Sequence, residues 1–268
     1  MTNNYKVFFG LQKEPFSQEI RVEDMLKSKP LLGVKERFLY AVSISAVALI
    51  TGDIGSGKSC ALRFASAALH PSEYVVLYVT ATSGSIIELY KQICHTLKID
   101  TKCASKATLT KIIRSCLLDL VGKKQKPVLI IDEASLLRLE VFAELHTITQ
   151  FALDAKAVLP IILAGQNNLI DNLMFRQSKA LASRVVGRAH MEALKNDETG
   201  VYLQHHLSVA GCERNLFSDP AITAIYQGSG GLLRRTNNLA RGSLIAAATD
   251  EQPVVSAEHV RLAATEII

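Results

Sequence analysis

The chain has 268 residues, of which 49% are hydrophobic and 21% charged, with a formal net charge of +5. This length allows one large domain or two smaller ones with a buried core, and the composition excludes a disordered or fibrous protein. The small basic excess permits an anionic partner without requiring one. Five cysteines without close pairs indicate a reducing compartment and argue against a disulfide framework or a zinc site.

The sequence contains no pattern typical of secretion or membrane insertion. Its N-terminus lacks the apolar core of a signal peptide. Its longest apolar stretch, residues 41–51, is much shorter than the ~20 residues that a membrane span needs. We therefore expect a soluble, cytoplasmic protein without a membrane partner.

Apolar strands alternate with helical patterns over the first 193 residues. The predicted strands are residues 47–51, 75–80, 128–131, 158–164 and 185–191, and helical spacing is found at 59–69, 86–97, 109–120 and near 140–154. This alternation predicts an α/β fold in which a parallel sheet is flanked by helices. Beyond it the helical stretches near 197–210, 219–227, 234–248 and 256–267 have no strand between them. We therefore predict an α/β core with an N-terminal arm over residues 1–193 and a small helical lid domain over 194–268.

A phosphate-binding loop is the strongest motif. The pattern G-x-x-x-x-G-K-[ST] is matched at every required position, between a predicted strand and a predicted helix. The matching residues are Gly52, Asp53, Ile54, Gly55, Ser56, Gly57, Lys58 and Ser59, and Cys60 follows them on the helix. The glycines let backbone N–H groups point at phosphate oxygens, and the start of the following helix favours the same anion. Lys58 would reach the β- and γ-phosphates, and the Ser59 hydroxyl would bind Mg²⁺. This motif predicts a P-loop NTPase that uses ATP and Mg²⁺.

Two carboxylates end the third predicted strand. Asp132 and Glu133 follow the apolar residues 128–131, about 75 residues after the phosphate loop. Asp132 at the end of the strand would hold the Mg²⁺ site, and Glu133 would act as the general base on an attacking water. The alternative is that the pair is only the polar exit of a buried strand. An Asp-Glu pair favours hydrolysis over nucleotide binding alone.

With these motifs and its C-terminal helices, the chain resembles the AAA+ ATPases. More narrowly, it is similar to the ExeA/GspA-like group and to the stand-alone transposition helper ATPases of the TnsC, TniB, MuB and IstB type. The resemblance covers residues 5–268. It is carried by the N-terminal residues 8–11 and 15–17, by Leu163-Ala164-Gly165-Gln166, and by Ser229-Gly230-Gly231-Leu232-Leu233-Arg234. Leu233 departs from the family pattern, which has proline there.

The resemblance implies roles for further polar residues. Gln166, with Asn167 as the alternative, would sense the γ-phosphate or the attacking water. Arg234 would be the lid sensor that reaches the nucleotide, although Arg235 beside it is an equal candidate in the doublet.

Two other arginines, Arg184 and Arg188, are candidates for an arginine finger that acts on the nucleotide of a neighbouring subunit. A finger of this kind implies a homo-oligomer, either a ring or a helical filament. For each arginine the alternative is an ordinary solvated surface charge.

Stand-alone relatives imply a protein that oligomerises on double-stranded DNA, selects a transposition target and recruits a transposase together with a target-selection protein. The absence of a further domain after the lid favours this role. The resemblance places DNA contacts in the loops 80–85 and 98–106. Their candidate side chains are Thr82, Ser83, Ser85, Thr101, Lys102 and Lys106, and polar surface loops are the alternative. The other candidate functions are an ATPase that assists a secretion or cell-envelope machine, and a nucleotide-switched adaptor with negligible turnover.

Two further clusters have competing interpretations. The N-terminal aromatic residues Tyr5, Phe8, Phe9 and Phe16 either pack around the adenine, as the resemblance implies, or attach an N-terminal arm to the core. His205 and His206 are adjacent and would point in different directions on a helix, which makes them a poor metal site.

Overall fold

A computed structural model describes residues 4–152 and 155–267 of the chain. Within these ranges there are five strands: β1 Val47–Gly52, β2 Tyr74–Thr80, β3 Lys126–Asp132, β4 Ile161–Gly165 and β5 Val185–Met191. The α-helices in the same ranges are α1 Asn4–Phe9, α2 Lys29–Ser43, α3 Lys58–Ser66, α4 Ile86–Thr96, α5 Lys106–Gly122, α6 Leu139–Thr149, α7 Asn168–Met174, α8 Lys179–Ala182, α9 Asn196–Val209, α10 Asp219–Ser229, α11 Leu233–Thr249 and α12 Ala257–Thr265.

All five strands predicted from the sequence are present, with small differences at their ends. The fourth strand begins at Ile161 instead of residue 158, because Val158 and Leu159 are buried but take no part in the strand pairing. The helix predicted near 140–154 ends at Thr149, and its predicted residues 153 and 154 lie outside the described residues, as do the first three residues of the predicted arm and the last residue of the predicted lid.

The strands form one parallel sheet in the order β2-β3-β4-β1-β5. The central strands β1, β3 and β4 are buried along almost their whole length, which explains why each reads as an unbroken apolar run. The edge strand β5 alternates between more and less exposed residues, and Met191 ends it in the core. The predicted α/β fold of a P-loop NTPase, a parallel sheet flanked by helices, is confirmed.

The core of the sheet unit is built from the apolar faces of the helices that follow β2 and β3. Helix α4 contributes Leu89 and Ile93, α5 contributes Leu109 and Ile113, and α6 contributes Phe142, all of them fully or almost fully buried. These side chains recur at helical spacing in the sequence, so the burial of one face of each helix gives the layered packing.

The chain divides into two compact units. One contains Ser28–Gly52 and Lys58–Met191, and includes the whole sheet. The other contains the segment up to Lys27, the short segment Asp53–Gly57, and the residues from Glu192 onward. The sequence-based division placed the N-terminal arm with the sheet over residues 1–193. The structure instead places the arm in the helical unit, while the change from sheet to helices falls within two residues of the predicted boundary.

Burial explains the position of the arm. Tyr5, Phe9 and Phe16 are almost completely buried among apolar residues of the helical unit, including Leu207 and Phe217. Three of the four N-terminal aromatic residues therefore attach the arm to the C-terminal helices. The fourth, Phe8, is 41% exposed, and its ring meets that of Phe9 edge to face.

Polar contacts reinforce the attachment of the arm. Arg241 donates a hydrogen bond of 2.8 Å to the carbonyl oxygen of Phe16, and Tyr5 donates one to Glu14. His206 is buried against the ring of Phe16, with a centroid distance of 5.3 Å. Burial, and then the charge of His205, lower the pKa of His206 to about 4. His206 is thus a neutral core residue of the helical unit.

Candidate nucleotide site

The phosphate loop lies between β1 and α3, as the motif predicts. Strand β1 ends at Gly52, and α3 begins at Lys58. Gly55 and Gly57 have φ values of +83° and +96°, a backbone region that side chains with a β-carbon rarely adopt. These two glycines therefore give the loop its curvature, which a phosphate-binding backbone requires.

Within the helical unit, the loop contacts the first turn of α11. The backbone N–H of Arg234 donates a hydrogen bond of 3.0 Å to the carbonyl oxygen of Gly55, and a β-carbon on Gly55 would lie 3.0 Å from that of Arg234. The structure thus brings the predicted lid-sensor residue to the loop through its backbone. The side chains of Arg234 and of its neighbour Arg235 are both exposed.

The preceding double glycine explains how α11 is held. Gly230 ends α10 in a left-handed conformation, and Gly231 follows it with φ +73°. A β-carbon on Gly231 would lie 2.0 Å from the carbonyl oxygen of Leu194, whose N–H donates to the carbonyl of Gly231 at 2.9 Å. The glycines thus allow the turn before α11 to pack directly on the backbone at Leu194.

In the sheet unit, the two nucleotide motifs are joined by a hydrogen bond. The Ser59 hydroxyl donates to Oδ2 of Asp132 at 2.8 Å, although 73 residues separate them. Lys58 is buried, and its ammonium group donates to the carbonyl oxygen of Gly52 at 2.9 Å. Ser59, Asp132 and Lys58 therefore meet at the carboxyl ends of β1 and β3, where ligands of open parallel sheets bind.

Asp132 is almost completely buried and accepts further hydrogen bonds. Its Oδ1 accepts from the N–H of Glu133 at 2.9 Å, and its Oδ2 accepts from the Tyr78 hydroxyl at 2.9 Å as well as from Ser59. Burial raises the pKa of Tyr78, and the charge of Asp132 and this hydrogen bond raise it further. The carboxylate is thus held by side-chain donors on β2 and α3 and by the backbone N–H of the residue that follows it.

Glu133 stands at a sharp change of backbone direction. Its φ and ψ of 54° and 30° are left-handed, an uncommon conformation for a residue other than glycine. A short 3-10 turn, Ala134–Leu136, follows at once, and the N–H of Leu136 donates to the carbonyl of Glu133 at 2.9 Å. Strained backbone of this kind is concentrated at functional sites, which is consistent with the predicted role of Glu133.

Gln166 lies beside this turn. It directly follows β4, and its backbone N–H donates to the hydroxyl of Ser135 at 3.2 Å. A β-carbon on Gly165 would lie 2.8 Å from the nitrogen of Ser135, so only glycine permits this approach. The structure therefore brings Gln166 close to the segment that carries Glu133, whereas Asn167, the alternative sensor, begins the following helical turn.

The residues of the sheet unit fit Mg²⁺ in the manner of a P-loop site. A serine hydroxyl and a buried carboxylate are hard oxygen groups, and Mg²⁺ bound with a nucleotide uses only one or two such protein groups besides phosphates and water. Among the described residues there is no cluster of three or more His, Cys, Asp or Glu that could hold a metal by itself. Ser59 and Asp132 are therefore the residues that would hold the ion.

The two arginine-finger candidates differ in their surroundings. The Nε of Arg184 donates to Nδ1 of His146 at 3.1 Å, which links it to α6 in its own chain. Arg188 lies in the middle of β5, aligned with Leu49 of β1, and is exposed. The surroundings of neither arginine identify it as a finger, so both assignments stay predictions.

The candidate DNA-binding side chains are largely engaged in local contacts. The hydroxyls of Thr82 and Thr101 accept hydrogen bonds from the backbone two residues later, and Lys106 forms an ion pair with Glu144 at 2.5 Å. The carbonyl of Ser83 accepts from Nε of Arg138 at 2.9 Å, while Lys102 is exposed. The loops thus present polar groups that are partly engaged in local contacts, and DNA binding by them stays a prediction.

Sequence reasoning missed Tyr78 and Ser135. Tyr78 appears in the sequence only as one residue of an apolar strand, and Ser135 lies between the third predicted strand and the helix predicted near 140–154. Their contacts join residues 54 and 31 positions apart, and no local pattern records such pairs. A signal existed only for Gly165, whose place at the end of a buried strand is typical of close backbone approach.

Comparisons with known proteins show what the nucleotide motifs are similar to. Residues 45–173 match the family model described as "AAA domain". This stretch is thus similar to an AAA domain. The match contains the phosphate loop, Asp132, Glu133 and Gln166, and the predicted resemblance to the AAA+ ATPases is confirmed.

A curated protein is similar to this chain over almost its whole length. It is 28% identical over 265 residues to "General secretion pathway protein A" of Aeromonas hydrophila, an alignment that covers 98% of this chain and 48% of that protein. The chain thus spans about half the length of this curated relative. No helix in the described part of the chain is long and apolar enough to cross a membrane.

Solved structures share the fold. Cdc6p from Pyrobaculum aerophilum matches with a TM-score of 0.74 and 15% identity, covering 94% of this chain and 70% of that one. The Aeropyrum pernix ORC1 protein, solved in complex with DNA, matches with a TM-score of 0.69 and 16% identity, covering 99% of this chain and 69% of the other. At these identities the likeness establishes the fold alone.

Proposed function

We propose that this protein is a Mg²⁺-dependent ATPase that converts ATP and water to ADP and phosphate. The observation that carries the proposal is the hydrogen bond of 2.8 Å between Ser59 and Asp132, which joins the two nucleotide motifs in one place. Buried Lys58 precedes Ser59 on α3, and the strained turn at Glu133 directly follows Asp132. The geometry therefore supports hydrolysis better than nucleotide binding alone.

In the proposed reaction, the loop N–H groups and Lys58 bind the phosphates of ATP. Ser59 and Asp132 would hold Mg²⁺, which would supply positive charge against the phosphates. Glu133 accepts a proton from a water while the oxygen of that water bonds to the γ-phosphorus. The bond from the γ-phosphorus to the β–γ bridging oxygen breaks, and ADP leaves. Gln166 orients the water from its position beside the Glu133 turn.

A homo-oligomer belongs to this proposal. Arg184 or Arg188 would act as an arginine finger on the nucleotide of a neighbouring subunit, and Arg234 would act as the lid sensor within its own chain. A finger in trans couples hydrolysis to assembly, because turnover then requires a neighbour in the correct position. The assembly would be a ring or a helical filament. Because ATP is the substrate, we place the activity in the cytoplasm, where the five free cysteines also stay reduced.

The first candidate role is an ATPase that assists a secretion or cell-envelope machine. It is supported by the similarity to General secretion pathway protein A over 98% of this chain. Deletion of the gene in the source cell should reduce the release of exported proteins. Unmodified protein should restore release, and a Glu133→Gln variant should not. Unchanged release in the deletion strain would count against this role.

The second candidate role is a DNA-dependent assembly that selects a transposition target for a transposase and its target-selection partner. It is favoured by the polar loops at 80–85 and 98–106 and by the fold shared with a protein solved in complex with DNA. ATP-dependent, sequence-tolerant binding of duplex DNA that weakens with salt would support it. Absence of duplex binding at low salt would exclude it.

The ATPase itself is tested by phosphate release from ATP with and without Mg²⁺. Unmodified protein should release phosphate only with Mg²⁺, and Lys58→Ala should lose nucleotide binding. Tight nucleotide binding with negligible ATP turnover would favour a nucleotide-switched adaptor over an ATPase, provided that turnover stays negligible in the presence of duplex DNA or of the secretion machine.

A further inference from the structure

Tyr78 donates its hydroxyl to the carboxylate that the proposed function places at the metal. The bond to Asp132 Oδ2 is 2.9 Å long, and the same oxygen accepts from Ser59. The other oxygen, Oδ1, accepts from the backbone of Glu133. Tyr78 and Ser59 thus both donate side-chain hydrogen bonds to this carboxylate from elements outside β3.

Sheet register explains why a tyrosine reaches this carboxylate. In the parallel pairing of β2 with β3, Tyr78 is aligned with Ile130, and Thr80 with Asp132. Side chains two residues apart on a strand share a face, so Tyr78 and Asp132 are diagonal neighbours on one face. A diagonal neighbour is within reach of a long aromatic side chain. A shorter residue at position 78 would not span that gap.

Strand β2 also fixes the backbone of the same residue. The N–H of Ala81 donates to the carbonyl oxygen of Asp132 at 2.8 Å, one residue beyond the end of β2. Both the main chain and the side chain of Asp132 are thus held from β2. A phenol ring has only two side-chain torsions, so its hydroxyl is a stiff support for a carboxylate.

We propose that Tyr78 is a positioning residue for the Mg²⁺ site, holding Asp132 in the orientation in which this carboxylate and Ser59 receive the ion. The inference rests on the proposed function. The Ser59 hydroxyl is needed at the metal itself, so Tyr78 supplies the orientation that Ser59 alone cannot. Hydrogen-bond partners behind a metal ligand fix its geometry, and their loss typically weakens metal affinity about 10-fold or more.

The test compares Tyr78→Phe with Tyr74→Phe. Both variants remove one hydroxyl from β2 and keep the ring, and Tyr74 is four residues away, about 13 Å along the strand. The first readout is binding of a fluorescent ADP analogue as a function of Mg²⁺ concentration, which requires no hydrolysis. The second is phosphate release over the same Mg²⁺ series.

Tyr78→Phe should raise the Mg²⁺ concentration for half-maximal effect about 10-fold in both readouts, with turnover recovering at high Mg²⁺. Tyr74→Phe should match the unmodified protein. A Tyr78→Phe variant with unchanged or tighter Mg²⁺ dependence would overturn the proposal.

The two readouts separate this inference from the proposed function. If the unmodified protein binds nucleotide with Mg²⁺ but does not hydrolyse ATP, the proposed function fails, and the binding series still decides the role of Tyr78. If Mg²⁺ has no effect on nucleotide binding by the unmodified protein, both fail. Thermal unfolding of Tyr78→Phe without ligand should stay near that of Tyr74→Phe, which excludes misfolding as the cause.

Discussion

Gly165 packs directly against the backbone of Ser135, so that a β-carbon at position 165 would lie 2.8 Å from the Ser135 nitrogen. This approach lets the N–H of Gln166 donate to the Ser135 hydroxyl and holds the end of β4 against the turn after Glu133. The candidate sensor and the candidate general base are thus linked through one backbone contact.

Gly165→Ala should therefore lower turnover more than it lowers stability. The added methyl group must displace the backbone of the turn, because the contact would be shorter than 3.0 Å, and a misplacement of about 1 Å can lower kcat about 10²-fold. Steady-state ATPase kinetics measure the effect, and thermal unfolding measures stability. Gly122→Ala is the matched control, because no atom lies within 4 Å of a β-carbon there. Equal kinetics for the two variants would contradict the proposed contact.

Glu133→Gln should retain nucleotide binding and lose turnover. Glutamine keeps the size of the side chain but cannot accept a proton from the attacking water. Loss of the general base should lower the hydrolysis rate about 10³-fold. Phosphate release and binding of a fluorescent nucleotide measure the two effects. Glu140→Gln, the same change on the exposed first turn of α6, serves as control. Persistent hydrolysis by Glu133→Gln would assign the base elsewhere.

The double glycine before α11 gives a prediction for the helical unit. Gly230→Ala places a β-carbon in open space. It should lower the free energy of unfolding by about 1 kcal/mol, because alanine is strained in the left-handed conformation of this residue. Gly231→Ala has the same backbone cost and in addition meets the carbonyl of Leu194, so it should cost about 3 kcal/mol or more. Chemical denaturation followed by circular dichroism compares the variants. Equal losses of stability in the two variants would show that the backbone at Leu194 moves aside at little cost in free energy.

Acid should destabilise the helical unit through His206. Its pKa is about 4 in the folded protein and about 6.5 when unfolded, so the unfolded state binds more protons between these values. Neutral His206 therefore leaves the free energy of unfolding undiminished above pH 6.5. This free energy falls by about 3 kcal/mol as the pH drops toward 4. Unfolding free energy measured from pH 7 to 4 should fall less steeply in His206→Phe. His205→Phe should retain most of the slope.

The arginine finger is tested by complementation between inactive variants. A site with a finger in trans combines the phosphate loop of one subunit with the arginine of its neighbour. Lys58→Ala and the correct arginine variant, Arg184→Ala or Arg188→Ala, should each be inactive alone and regain part of the ATPase rate when mixed.

Failure to complement would point to a role within the chain. For Arg184 the contact with His146 supplies such a role. An Arg184→Ala variant that is inactive in every mixture, and less stable than Arg188→Ala, would exclude it as the finger.

The sequence by itself determined the strands, the phosphate loop and the carboxylate pair of this protein. Buried parallel strands read as apolar runs, and a phosphate loop needs glycines, lysine and serine at fixed spacing, so both are recorded in consecutive residues. Only the tertiary structure decided that Tyr78 holds Asp132, that Gly165 meets Ser135, and that the N-terminal arm packs on the C-terminal helices. These contacts join residues 30 to more than 200 positions apart, and packing between separate elements leaves no periodic trace in the sequence.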